Sequence, residues 1–563
     1  MNDNPALWRK WLIPAIAIAI VGGLLFYPVR IAYRHYKEKH DLVLARQFFS
    51  SGDHRSAVLA ARQVLAVNAT NTEACWVLAE IADLSQSPAT LDWRQRLVEI
   101  APTVENRLQL AEAGLRYQSP PYPLANHIMS ELSKTSATNL AFFHAVIAEG
   151  ALAQRQLVVA QTELATAVRL NPTNRIYQLN LASVRLSSAD AATLELARTQ
   201  LKSFLADTNF APVALRALVA DQLAHNNPAA ARSFSEQLIK LASVTLTDRL
   251  QHLAILQKIP GTDFAAQLTS LQQTATNAAT IFQVAAWMQA NGQAAAAAAW
   301  LARLPAPLSS QPTVQLARAN ALEAQQDWAA LRQFCTRGKW EELDFMRFAL
   351  LAHAWAQLGE TAVAQGNWHT AVDAAGNRLG ALSGLLELTA RWKMPEARLD
   401  LFWLLLQKFP RERWVSAALE QQCFNTGDTA GLRRIYQQMA AVFPSDASFN
   451  NNYAYTSLLL RKNQGEAENL AARLYAQAPE NPAIVSTYAF ALHLRGHEAE
   501  ALAAMRKLKP AVLQQPALAL HYGILLAATG QTAEAKPFLA LARTGTGLLP
   551  EEKRLLDRLP VTP

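Results

Sequence analysis

Hydrophobic positions along this chain fall in long Ala- and Leu-rich runs that pass without paired turn residues, and glycine is scarce, at 21 of 563 residues. Such runs favour helix over strand and predict an all-α protein. The runs stop at regular intervals. Pro410, Pro444 and Pro479 lie 34 and 35 residues apart, each closing an apolar stretch (LLLQKFP, MAAVFP, LYAQAP). Ala467, Ala501 and Ala535 are spaced by 34, as are Gly496 and Gly530. A joint register of Pro, Gly and Ala at this period is that of paired antiparallel helices stacked side by side. One stretch breaks the pattern: WLIPAIAIAIVGGLLFYPV, residues 11–29, has nineteen residues without a charge.

The same register recurs upstream. In AQTELATAVRLNPTNR, Ala160 and Ala167 are seven apart with Pro172 five further on, and in SSGDHRSAVLAARQVLAVNATN, Gly52-Asp53 precede Ala57. These features resemble the tetratricopeptide-repeat family: a Gly-Asp turn between helices A and B, small residues on B, and a Pro-Asn turn ending the repeat. The resemblance covers residues 38–560 unevenly and is strongest at 38–71, 141–174 and 413–546. It implies a right-handed superhelical solenoid of helix hairpins. Gly allows the tight A-to-B turn, Pro stops helix B, and alanines on B let neighbouring helices approach. A chain this long exceeds one globular core, but a lengthwise array has no such limit. Roughly fifteen units would fill it.

The reading divides the chain into an anchor with a basic flank at 1–40, a solenoid at 41–260, divergent helical repeats at 261–410 and a C-terminal array at 411–563. Gln118–Pro123, Pro260-Gly261-Thr262 and Leu304–Leu308 are expected breaks, and Ala294–Ala299 a close-packed helix B. Solenoids of this family bind peptides or partner segments on the face lined by A helices, so the resemblance places Trp414, Gln421, Phe424, Phe449, Asn452, Thr456, Phe490 and His493 in a partner-binding groove. Family members that grip a C-terminal carboxylate use Lys and Asn at set positions. Gln421, Thr456 and Phe490 stand where the key Asn would be, which argues against such a clamp.

Charge and chemistry change this picture little. Of 52 Lys/Arg and 44 Asp/Glu, residues 1–40 hold six basic side chains against Asp3 and Glu38, leaving 46 and 42 elsewhere. That balanced surface argues against nucleic acid as a partner. Residues 11–29 suffice to span a bilayer, with Trp8 and Trp11 at one end and Tyr27, Tyr33 and Tyr36 at the other, and no cleavage site follows. A single-pass cell-membrane anchor is expected. Counting Lys/Arg places the solenoid on the cytoplasmic side, whereas retention of the short basic N-tail would place it outside, so the side stays open. Cys75, Cys335 and Cys423 are sparse and in no CxxC spacing, which argues against disulfides and zinc. No phosphate loop, GxSxG, HExxH or calcium loop occurs. His493 and His497 straddle an A-to-B turn without a third ligand, and Glu551-Glu552 reads as a solvated helix start. No metal or cofactor is expected. The leading reading is a non-catalytic, membrane-anchored scaffold for protein–protein interaction. Anchored repeat proteins are often found in envelope assembly, secretion or polysaccharide export, but the resemblance implies the class and not the pathway. The alternatives are the helical arm of an enzyme with its active site in 260–410, and a self-associating scaffold.

Overall fold

The computed structural model describes residues 30–545 and 547–558. The expected membrane span at 11–29 lies outside them, and among the described residues no helix is long and apolar enough to cross a membrane. Every described element is helical. The chain forms two compact units, one ending at Thr274 and the other beginning at Ala275. Among the described residues the first contains seven hairpins, from the helix over 30–50 with His54–Val67 to Leu246–Gln257 with Phe264–Thr274. The second contains eight, from Ala278–Ala290 with Ala294–Ala302 to Pro516–Ala528 with Thr532–Thr544, followed by a lone helix Pro550–Asp557. Residues 261–410 hold hairpins of the same kind, and helices on both sides of position 410 share one core, with Leu385 and Leu405 packed among Val415, Leu419 and Leu432.

The local geometry follows from turn chemistry. Most A helices end in a residue of positive φ, directly followed in most hairpins by the residue that caps helix B; Val104–Tyr117 and Arg175–Arg185 do not. Gly52 (φ +79°), Gly427 (+68°), Gly496 (+78°) and Gly530 (+82°) fill this place where the sequence pattern is clear. In other hairpins Gln86, Arg155, Asn226, Gln326, Lys393 and Arg461 fill it, with φ between 51° and 59°. A side chain in this region costs on the order of 1–2 kcal/mol. It persists because the next N–H reaches back five residues to an orphan carbonyl of helix A: Gln156 to Leu152's neighbour Ala151 at 2.8 Å, Asp327 to Leu322 at 3.1 Å, Met394 to Thr389 at 2.9 Å and Asp428 to Cys423 at 2.8 Å. This bond satisfies a helix end that would otherwise be unpaired. Asp53, Asn227, Asp327 and Asp428 then cap helix B through their side chains.

Small residues on helix B are buried as the register requires. Ala57, Ala160, Ala167, Ala297 and Ala501 are fully inaccessible, and Ala467 and Ala535 nearly so. Helices A and B approach closely at Gly523, where an added Cβ would stand 2.7 Å from Leu539 Cδ2 and 3.2 Å from its backbone nitrogen. The three cysteines are free and buried. Burial pushes the Cys335 thiol up to about 12 and that of Cys423 to about 11.

Candidate functional site: the A-helix face of the C-terminal repeats

The eight residues expected in a groove lie on three A helices, Arg413–Thr426, Ala447–Leu459 and Pro482–Leu494. On the first, Trp414, Gln421 and Phe424 form one exposed stripe, with Trp414 43% and Phe424 45% accessible. The Trp414 indole nitrogen donates to Glu412 at 3.1 Å and its ring edges Phe402, while Gln421 donates to Asn425 at 2.9 Å. On the second helix Phe449 is half-buried, stacked on Phe443, and the Arg413 guanidinium covers both rings. Asn452 is also half-buried and hydrogen-bonds Tyr436.

Thr456 and Phe490 do not line an open groove. Thr456 is 2% accessible and its hydroxyl donates to the Asn452 carbonyl of its own helix at 2.6 Å. Phe490 is 3% accessible, stacked on His521 with ring centroids 4.8 Å apart and edged by Tyr455. The cause is curvature: Tyr455 and His521 stand on A helices with one repeat between them, yet their side chains meet at 3.3 Å. His493 lies beside Phe490 and pairs with Glu498 at 2.7 Å, while His497 pairs with Glu500 at 3.1 Å. The two histidines therefore take separate carboxylates across the turn. Among the described residues no three His, Cys, Asp or Glu side chains are grouped to hold a metal ion.

The space inside this curve is occupied by the chain itself. Helix Pro550–Asp557 lies against residues of all four A-to-B units. Pro550 packs on Gly427, where an added Cβ would stand 3.0 Å from Pro550 Cγ, Glu551 accepts a hydrogen bond from Thr429, and Glu552 accepts one from Tyr455. Leu549 joins the core around Leu419 and Phe490, and Leu556 joins that around Leu525 and Leu539. Glu551-Glu552 is thus not a solvated helix start. Glu552 is 6% accessible because the helix docks with that side inward.

The polar atoms buried there form one directed chain. Ser486 Oγ–H donates to His521 Nδ1 at 2.7 Å, His521 Nε2–H donates to Tyr455 Oη, Tyr455 donates to Glu552 Oε1, and the Leu549 N–H donates to Glu552 Oε2 at 2.7 Å. This order requires a neutral imidazole and a carboxylate that only accepts. Burial, reinforced by the nearby His493, pulls His521 down to about 3. Burial also raises the Glu552 carboxyl, against the pull of the Tyr455 and Leu549 hydrogen bonds. Neither residue carries a local sequence signal, since the contacts join positions 66 and 97 residues apart.

The first unit presents a different A-helix face. Glu112 and Glu149 come from successive A helices, and Arg116 bonds both Asp83, at 2.7 Å, and Glu112, at 3.2 Å. Glu149 has no hydrogen bond among the described residues, and burial together with the Glu112 charge lifts it to about 7.

No protein-family model matches the chain, and no curated protein matches it. Among solved structures, the APC/C hetero-tetramer Cut9-Hcn1 is similar over 91% of this chain and 97% of that one, at 11% identity and a TM-score of 0.25. Naa15/Naa10 bound to HypK-THB is similar over 92% of this chain and 73% of that one, at 12% identity and a TM-score of 0.22. Similarities this distant carry no functional argument. The tetratricopeptide-like character of the fold rests on the hairpins themselves.

Proposed function

We propose that this chain is a membrane-tethered, non-catalytic scaffold that seats a partner segment on the A-helix face of its C-terminal repeats. The observation that supports this reading is the docked helix Pro550–Asp557, which lies outside the hairpins and is held by apolar and polar contacts to that face. A face that receives one helix through such contacts has the chemistry to receive another. Trp414, Gln421 and Phe424 extend the same side as an uncovered, weakly charged stripe. Residues 11–29 supply the tether, and a scaffold fixed to a membrane fits assembly tasks such as envelope construction, secretion or polysaccharide export.

Crosslinking in membranes, with identification of the attached proteins, tests the reading. Trp414→Ala together with Phe424→Ala should reduce recovery of a specific partner, each change weakening binding by about 1–2 kcal/mol. Helical content should stay intact, since both side chains are exposed. Equal recovery from the two proteins would remove this stripe as the docking face. Deleting 1–29 should release the chain from membranes, and pelleting after a high-salt wash would refute the single tether.

A further inference from the structure

Thr361–Ala375 and Pro395–Lys408, the B helices of successive hairpins, leave a cavity of about 1020 Å³ between them. Small side chains keep it open: Ala352, Ala356, Ala364 and Ala397 line it where larger residues would fill the gap. Its apolar floor is made by Trp368, Val372, Leu401 and Leu404. One end is closed by Trp392, whose ring stacks on His353 at 4.2 Å and edges Trp368 at 6.5 Å, and whose indole nitrogen donates to Glu323 at 2.6 Å. That anchoring makes the wall rigid. His353 is neutral there, pulled down to about 4 by burial and then by the Arg391 charge.

The rim has one sign. Asp373, Glu396 and Asp400 line the cavity, all three exposed, and no Lys or Arg lines it. None of these carboxylates forms a side-chain hydrogen bond or ion pair among the described residues, so all three are available to an incoming cation. The lining runs along Thr361 to Asp373 on one helix and Met394 to Leu404 on the other. At 1.5 Å per residue this is a trough about 15–18 Å long, the length of roughly three helical turns.

We propose that this trough is a docking site for a basic amphipathic helix of a partner protein. Its apolar face would fill the floor over Val372 and Leu404, and its Lys or Arg side chains would meet the three unpaired carboxylates. An apolar floor between two helices, rimmed by polar groups, is the arrangement by which a groove receives an amphipathic helix. Charge complementarity selects the sign of the occupant. The volume stands at the upper end of the range for small-molecule pockets, about 300–1,000 Å³, and the elongated form between two helices matches a helix better than a compact ligand. The site is separate from the Trp414 stripe and does not depend on it.

The test titrates the full-length chain with a labelled helical peptide of about fifteen residues, leucine on one face and lysine on the other, carrying a photoreactive group on the leucine face. A counterpart with glutamate in place of lysine is the control. The lysine peptide should crosslink to residues between Ala352 and Leu404, and Asp373→Lys, Glu396→Lys and Asp400→Lys together should weaken it about tenfold or more. Those three side chains are exposed, so folding is preserved, which circular dichroism checks. Ala397→Trp, which fills the trough without altering charge, should block the peptide as well. Equal affinity for the two peptides, crosslinks elsewhere, or undiminished binding to the triple variant would overturn the proposal. Displacement of the peptide by millimolar tetramethylammonium would assign the cavity to a small cation and overturn it too.

Discussion

Replacing Tyr455 by Phe removes one oxygen and leaves the ring packing unchanged, so it isolates the polar chain that holds the C-terminal helix. Two hydrogen bonds disappear. The one to the Glu552 carboxylate has a charged acceptor and is worth about 1.5–3 kcal/mol. The one from His521 leaves a buried N–H unpaired, at a cost of about 1–3 kcal/mol. Because both bonds belong to one network the costs do not add in full, and a loss of about 2–4 kcal/mol is expected. In a repeat array the loss stays local. Segment-resolved hydrogen exchange should therefore show faster opening in Ala447–Leu459, Pro516–Ala528 and Pro550–Asp557, with 30–274 unchanged. Adding Glu552→Leu to the variant should recover part of the loss, because the stranded carboxylate goes with it. A change under about 0.5 kcal/mol in Tyr455→Phe would refute the account, since the hydroxyl would then have no structural role.

Gly523→Val should destabilise the last hairpin by about 1–3 kcal/mol through overpacking against Leu539, read as a lower local midpoint in urea. His521 should make the C-terminal repeats acid-sensitive. Its folded pKa of about 3 lies below the ordinary 6.5, so its contribution is complete above pH 6.5 and is lost as pH falls toward 3, by an amount on the order of 4 kcal/mol. His521→Gln should flatten that slope in exchange rates measured between pH 4 and 7. Glu149 should act with the opposite sign. With a folded pKa of about 7 against 4.5, it favours the folded state below pH 4.5 and penalises it as pH rises through 7. Glu149→Gln should then stabilise residues 104–185 at pH 8 by roughly 2 kcal/mol and change little at pH 4.5, and equal effects at both pH values would refute this.

Local and periodic signals are legible in the chain before any tertiary contact is known. Helices follow from Ala- and Leu-rich runs, and hairpin ends from Gly52, Gly427, Gly496 and Gly530, because a glycine of positive φ writes its turn directly into the chain. The buried faces of helix B were legible in Ala160, Ala167, Ala467 and Ala501 for the same reason: a fixed period names the contact. Between 175 and 410 the period fades although the hairpins continue. There the back-bond from the residue after Gln326 or Lys393 enforces a turn that the residue type alone does not announce. Which faces stay open is set by the packing of distant repeats. Phe490 and Thr456 occupy groove positions in the repeat register, yet curvature brings His521 against Tyr455 and closes that space, while Glu551 and Glu552 reach back 122 and 97 residues to Thr429 and Tyr455. The trough over Trp368 has the same origin. A repeat fixes contacts between neighbours in sequence, and the packing of its successive hairpins fixes everything beyond them.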